Sequence, residues 1–149
     1  MELNDAVHVR VFAEDTCGEA DSALLKWFRV VLEESMRKNG IDIDGTSKHA
    51  QQLRDVGFTD VRERVWKWPM GSKRANTEKE KALGSMFSQN LLVVIGGLTA
   101  TLVEHGDLRG ISEQEVLDLA EEAKRDLMEN ADRRGYYTLM ATYVAQAPQ

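Results

Sequence analysis

Apolar and polar positions alternate at the start of the chain, with Val7, Val9 and Val11 on one face and His8, Arg10 and Phe12 on the other. A period of two built on β-branched residues predicts a strand that begins almost at the first residue. After the polar loop AEDTCGEAD the period lengthens. Leu24, Phe28, Val31, Leu32 and Met36 recur at helical spacing. They predict a helix from Asp21 or Ser22, either of which can cap it, through Asn39, with Gly40 placed for a left-handed C-terminal cap. A short second helix is predicted from Ser47 to Val56, closed by Gly57. Phe58 to Trp68, FTDVRERVWKW, alternates again and predicts a second strand stopped by Pro69.

The middle of the chain reads as helical. Thr77 with Glu80 three residues on makes a capping box, opening a segment through Met86 and Leu92 toward Val103. Its apolar run, Leu91 to Val103, is 13 residues long and holds two Gly and two Thr, whereas a bilayer-spanning helix needs about 20 residues. A buried helix, or two short ones hinged at Gly96-Gly97, is expected. Ser112 with Glu115 is a second capping box, and the helix it opens puts Val116, Leu119, Ala123 and Leu127 on its inner face. Past Gly135, Tyr136 to Ala145 is dense in aromatic and β-branched residues and predicts a third strand. The expected order is β-α-α-β-α-α-α-β, with no internal repeat and no domain linker.

Composition narrows the class. The chain has 149 residues, 42% hydrophobic and 30% charged, which fits one soluble globular domain. Its net charge of −6 argues against a nucleic-acid or anionic-membrane surface. The single cysteine, Cys17, cannot form an internal disulfide, and residues 1 to 12 show no basic region followed by an apolar block. An intracellular protein is expected, in the cytoplasm or the nucleus.

Candidate chemistry is sparse. His8, His49 and His105 are far apart, so no metal set is expected. Cys17 lies in an acidic loop that would oppose thiolate formation. The carboxylate pairs Glu33-Glu34 and Glu121-Glu122 are expected on solvated helix faces, whereas Glu14-Asp15 follows a strand, where ligands of open sheets bind. No GxGxxG or GxxxxGK[ST] occurs. Trp66 is expected in the core; Trp27 and Trp68 suit a core or a pocket wall equally.

The stretch LRDVGFTDV, Leu53 to Val61, resembles the L-x-x-A-G-F-x-x-V signature before the sixth strand of class I S-adenosylmethionine-dependent methyltransferases. WKWPMGS, LGSMFSQNLL, GLTATL, SEQEVLDLAEEAKRDL and the closing YYTLMATYVAQAP, with DSALLKWFRVVLEESMRKNG upstream, resemble the C-terminal half of fungal secondary-metabolism methyltransferases, among them the velvet-complex methyltransferase-like regulators. The resemblance covers essentially the whole chain. It implies a partial α/β fold, residues 1–149, forming one edge (5-7-6) of a Rossmann-like sheet with strand 7 antiparallel. A helical lid insertion at about 77–105 would lie over the substrate. It also implies methyl transfer from S-adenosylmethionine to a small-molecule metabolite, with Glu14, Trp27, Met86 and Asn90 as substrate-pocket positions and no catalytic base that can be named.

The departure is equally specific. The glycine-rich loop and ribose-binding acid of such enzymes belong to earlier strands, and nothing here corresponds to them. This chain alone is therefore expected not to hold the cofactor and to be inactive by itself. It would be a truncated product or half of a split or domain-swapped assembly, open to a homodimer or complementing chain through the exposed edge of its first strand. The alternative is a non-catalytic interaction or dimerisation module derived from the same fold. A third is a small α+β protein with an unrelated pocket.

Overall fold

The computed structural model describes residues 2–6, 10–15, 20–73, 75–105 and 110–147. Glu2–Ala6 (β1), Thr59–Pro69 (β2) and Tyr137–Gln146 (β3) pair in the order β1-β3-β2, so the last strand lies in the middle, antiparallel to both neighbours. Most of the sheet is the long β2–β3 pair, from Arg62 opposite Val144 to Pro69 opposite Tyr137. The first strand begins at Glu2, almost at the first residue as expected. Val7 and Val9 fall outside the described residues, Val11 is a buried core residue, and Phe12 makes a lone bridge to Tyr137. Register against β3, not the local period, decides which residues pair.

Ser22 caps the next helix as expected: its Oγ accepts from the Leu25 N–H at 3.2 Å. The helix runs as Ala23–Trp27 (α1), a wider π-helical segment Phe28–Glu33, and Glu34–Lys38 (α2). The π segment turns Phe28, Val31 and Leu32 inward together. A 3₁₀ turn, Gly45–Lys48, leads into His49–Asp55 (α3). Ala50 and Leu53 of α3 pack on Ala141, Tyr143, Val61 and Leu139, covering one face of the sheet.

Two long helices follow, Glu78–His105 (α4) and Glu113–Arg134 (α5). The expected three helical segments after β2 are therefore two. Both capping boxes form: Thr77 Oγ1 accepts from the Glu80 N–H at 3.2 Å while Glu80 accepts from the Thr77 N–H at 3.1 Å, and Ser112 and Glu115 do the same. Val116, Leu119, Ala123 and Leu127 are buried, and Gly135 ends α5 in the left-handed conformation at φ 63°.

α4 differs from its expectation. It is one helix with no break at Gly96-Gly97, and it is not a buried one: only Gly84, Leu91, Ile95 and Thr99 are buried. By length and composition alone, with a window of mean hydropathy 1.6, it is long and apolar enough to cross a membrane, a length that the uninterrupted apolar run understated. α4 makes a close approach at Gly84, where an added Cβ would collide with the Gly71 carbonyl oxygen; at Gly96 it would lie 3.4 Å from Lys124 Nζ of α5, and at Gly97 it would meet nothing within 4 Å. The main core joins α1, the π segment, α4 and α5 through Trp27, Leu24, Ile95 and Leu127.

Candidate functional site

Between the face of the sheet away from α3, the π segment and α4 lies a cavity of about 560 Å³. This falls within the range of small-molecule sites, roughly 300–1,000 Å³. β2 and β3 contribute Trp68, Thr138 and Met140; the helix after Ser22 contributes Phe28, Leu32 and Met36. α4 contributes a stripe, Phe87, Asn90, Leu91, Val94, Leu98, Thr101 and Leu102, spaced so that one side of the helix forms the wall. Trp68 meets Phe87 edge-on, with ring centroids 5.8 Å apart, joining the sheet wall to the helix wall. Trp66, two residues earlier, is 41% exposed with the Arg64 guanidinium 3.7 Å over its ring. It is not the core residue expected, because cover on that face of the sheet reaches Trp68 and stops.

The polar groups of the wall are few. Arg10 makes a fork to Glu33, Nε to Oε1 at 2.6 Å and Nη2 to Oε2 at 3.3 Å. The hydrogen bond to Glu33 is the main cause that raises the Arg10 pKa further above its ordinary range. The Arg10 carbonyl accepts from Thr138 Oγ1 at 2.9 Å, which fixes the residue against β3. Thr101 donates to the Gly97 carbonyl at 3.0 Å. Asn90, exposed on α4, also lines the cavity.

Of the four pocket positions implied by the resemblance, Asn90 lines the cavity. Trp27 lies behind its wall, fully buried, with Nε1 donating to Thr99 Oγ1 at 3.0 Å and its ring edge-on to Phe28, which does line it. Glu14 and Met86 lie elsewhere. Glu14 is exposed beside Lys67, with its N–H bonded to the Arg134 carbonyl. Met86 points to solvent at 69% exposure, one residue and about 100° around the helix from Phe87. Trp68, which suited a core or a pocket wall equally, lines the cavity, whereas Arg10, Glu33, Phe87 and Met140 are not distinguished by any motif. The α4 stripe alone is detectable in the sequence, as apolar residues recurring at three and four.

A second polar cluster is closed off from the cavity. Asp126 of α5 accepts from Ser22 Oγ at 2.7 Å, the Leu24 N–H at 3.2 Å, Tyr136 OH at 2.9 Å and Asn130 at 2.9 Å, with Arg134 Nε 3.7 Å away. Burial alone would raise the Asp126 carboxyl; the four hydrogen bonds outweigh it and hold the pKa below its ordinary 3.8. Burial, reinforced by Asp126, pushes the Tyr136 phenol up. With Ser22 and Tyr136 each 1% exposed, this cluster joins α1, α5 and β3.

Among the described residues no three His, Cys, Asp or Glu gather as a metal site. Cys17 and His8 lie outside the described residues. S-adenosylmethionine, which the resemblance implies, does not fit the donor set of the cavity. Its sulfonium and ribose call for carboxylate partners and its amino-acid end for the backbone N–H groups of a glycine-rich turn. Among the described residues the wall has no carboxylate, and its one cation, Arg10, is paired with Glu33. Compared with known proteins, the chain matches no family model and no curated sequence.

Proposed function

We propose that this chain is the acceptor-binding part of a methyltransferase-type fold, and that its role is to hold an uncharged, largely apolar metabolite in the cavity under α4. The observation that carries the reading is the cavity itself: aromatic and aliphatic on three sides, of small-molecule size, with Asn90 offering a hydrogen-bonding amide. The strand order β1-β3-β2, with the last strand antiparallel in the middle, supports the methyltransferase ancestry, since the resemblance implies a 5-7-6 edge. The position of α4 over the cavity supports a lid role for the 77–105 insertion. The methyl donor belongs to residues other than those lining this site, and no transfer step is assigned to it.

The test is titration with N-phenyl-1-naphthylamine, a neutral apolar probe that fluoresces on leaving water. One saturable site is expected, weakened at least tenfold in Leu98→Trp, where the larger ring occupies the space. Absence of saturable binding overturns the ligand reading. Micromolar binding of S-adenosylmethionine to the chain, measured by calorimetry, overturns the assignment of the donor to other residues.

A further inference from the structure

Resting on the cavity reading above, we propose that Glu33 is a specificity-determining residue: by occupying Arg10, it makes the cavity select neutral ligands over anionic ones. Among the described residues that line the cavity Arg10 is the one cation, and an apolar pocket with a guanidinium in its wall is otherwise suited to an amphipathic carboxylate. Here the Nε–Nη2 side of the guanidinium is taken by the Glu33 carboxylate, at 2.6 and 3.3 Å.

The surroundings hold the pair in place from both sides. The Arg10 carbonyl is bonded to Thr138, and Glu33 ends the π-helical segment whose Phe28 and Leu32 line the same cavity. The Glu33 side chain is only 14% exposed, and Arg37 lies 4.0 Å from its other oxygen. A carboxylated ligand would meet a guanidinium whose charge Glu33 already balances, and would have to displace Glu33 or lie against its largely buried carboxylate. That cost falls on anions alone. A neutral ligand meets a cancelled charge and keeps its own polar group for Asn90.

The experiment uses 1-decanol and decanoate, which share a hydrocarbon chain and differ at the head, each displacing N-phenyl-1-naphthylamine at pH 8. In the wild type decanol is expected to bind at least tenfold more tightly. Glu33→Gln releases the guanidinium and is expected to reverse the preference. Arg10→Gln combined with Glu33→Gln is expected to restore it. Equal or tighter binding of decanoate by the wild type overturns the proposal, and that ratio needs no variant to fold. A preference unchanged in a Glu33→Gln protein with native near-ultraviolet circular dichroism overturns it as well. If the probe binds and only the selectivity fails, the cavity reading stands; if the probe does not bind the wild type, both fall.

Discussion

α5 and α4 are the two long helices, and they do opposite things with their side chains. α5 is polar on one side and apolar on the other, capped at both ends, with Val116, Leu119, Ala123 and Leu127 buried against its neighbours. Its one buried carboxylate has all its partners. α4 is apolar around much of its circumference, yet few of its residues are buried, and Val93 is 74% exposed. One side of α4 faces a cavity instead of packed atoms. The difference separates a frame from a wall: contacts on α5 hold the fold, whereas the inner stripe of α4 leaves room for a ligand.

The sharpest way to break this distinction is at Asp126. Asp126→Ala leaves the Ser22, Leu24, Tyr136 and Asn130 donors facing an empty acceptor position, and a loss of about 3–5 kcal/mol in stability is expected from urea unfolding. Asp126→Asn keeps the shape and gives the pH signature. The folded pKa is depressed, so the carboxylate's contribution is present above the unfolded value near 3.8 and lost as pH falls through the folded one. Wild-type stability is expected to fall more steeply than that of Asp126→Asn below that pH. Tyr136 acts in the opposite direction: its pKa is raised, so its contribution is complete below 10.0 and is lost as pH rises beyond it. Equal acid profiles for wild type and Asp126→Asn would show that α5 is not held as described.

A smaller effect is expected where α4 meets the frame. Gly71 donates its N–H to Ser88 Oγ at 3.0 Å, and Gly84 lies against the Gly71 backbone. Gly84→Ala forces the two segments apart and is expected to cost about 2–3 kcal/mol, read as a lowered urea midpoint. The smallest effect, and of opposite sign, is at Gly97. An added methyl there meets nothing and the helix gains propensity, so Gly97→Ala is expected to stabilise by about 0.5–1 kcal/mol with probe binding unchanged. Two glycines on one helix would then mark its anchored and its open parts. Destabilisation at Gly97 would place a contact where the wall is described as open.

Local pattern was legible wherever a neighbour in sequence did the work. Both capping boxes, the Ser22 cap, the inner face of α5 and the termination at Gly135 rest on residues three or four apart, whose geometry the helix itself sets. The long strands were placed to within a residue, Thr59–Pro69 and Tyr137–Gln146. The first strand begins at Glu2 as expected, and its partners follow the register that β3 offers. Glu33 was expected on a solvated face beside Glu34, yet it is held by Arg10, 23 residues away in sequence. Trp66 and Met86 are exposed for the same reason, since exposure depends on which helix covers a face and how far it reaches.

What the sequence determined by itself is therefore the helix caps, the two long strands to within a residue and the apolar side of α5, all set by local pattern. Only the tertiary structure decided the site of close approach at Gly84, the neutralisation of Arg10 by Glu33 and the space between α4 and the sheet. Those features arise from groups far apart in the chain, and a void in particular has no residue of its own. It exists because rigid walls built from separate segments meet without filling the volume between them.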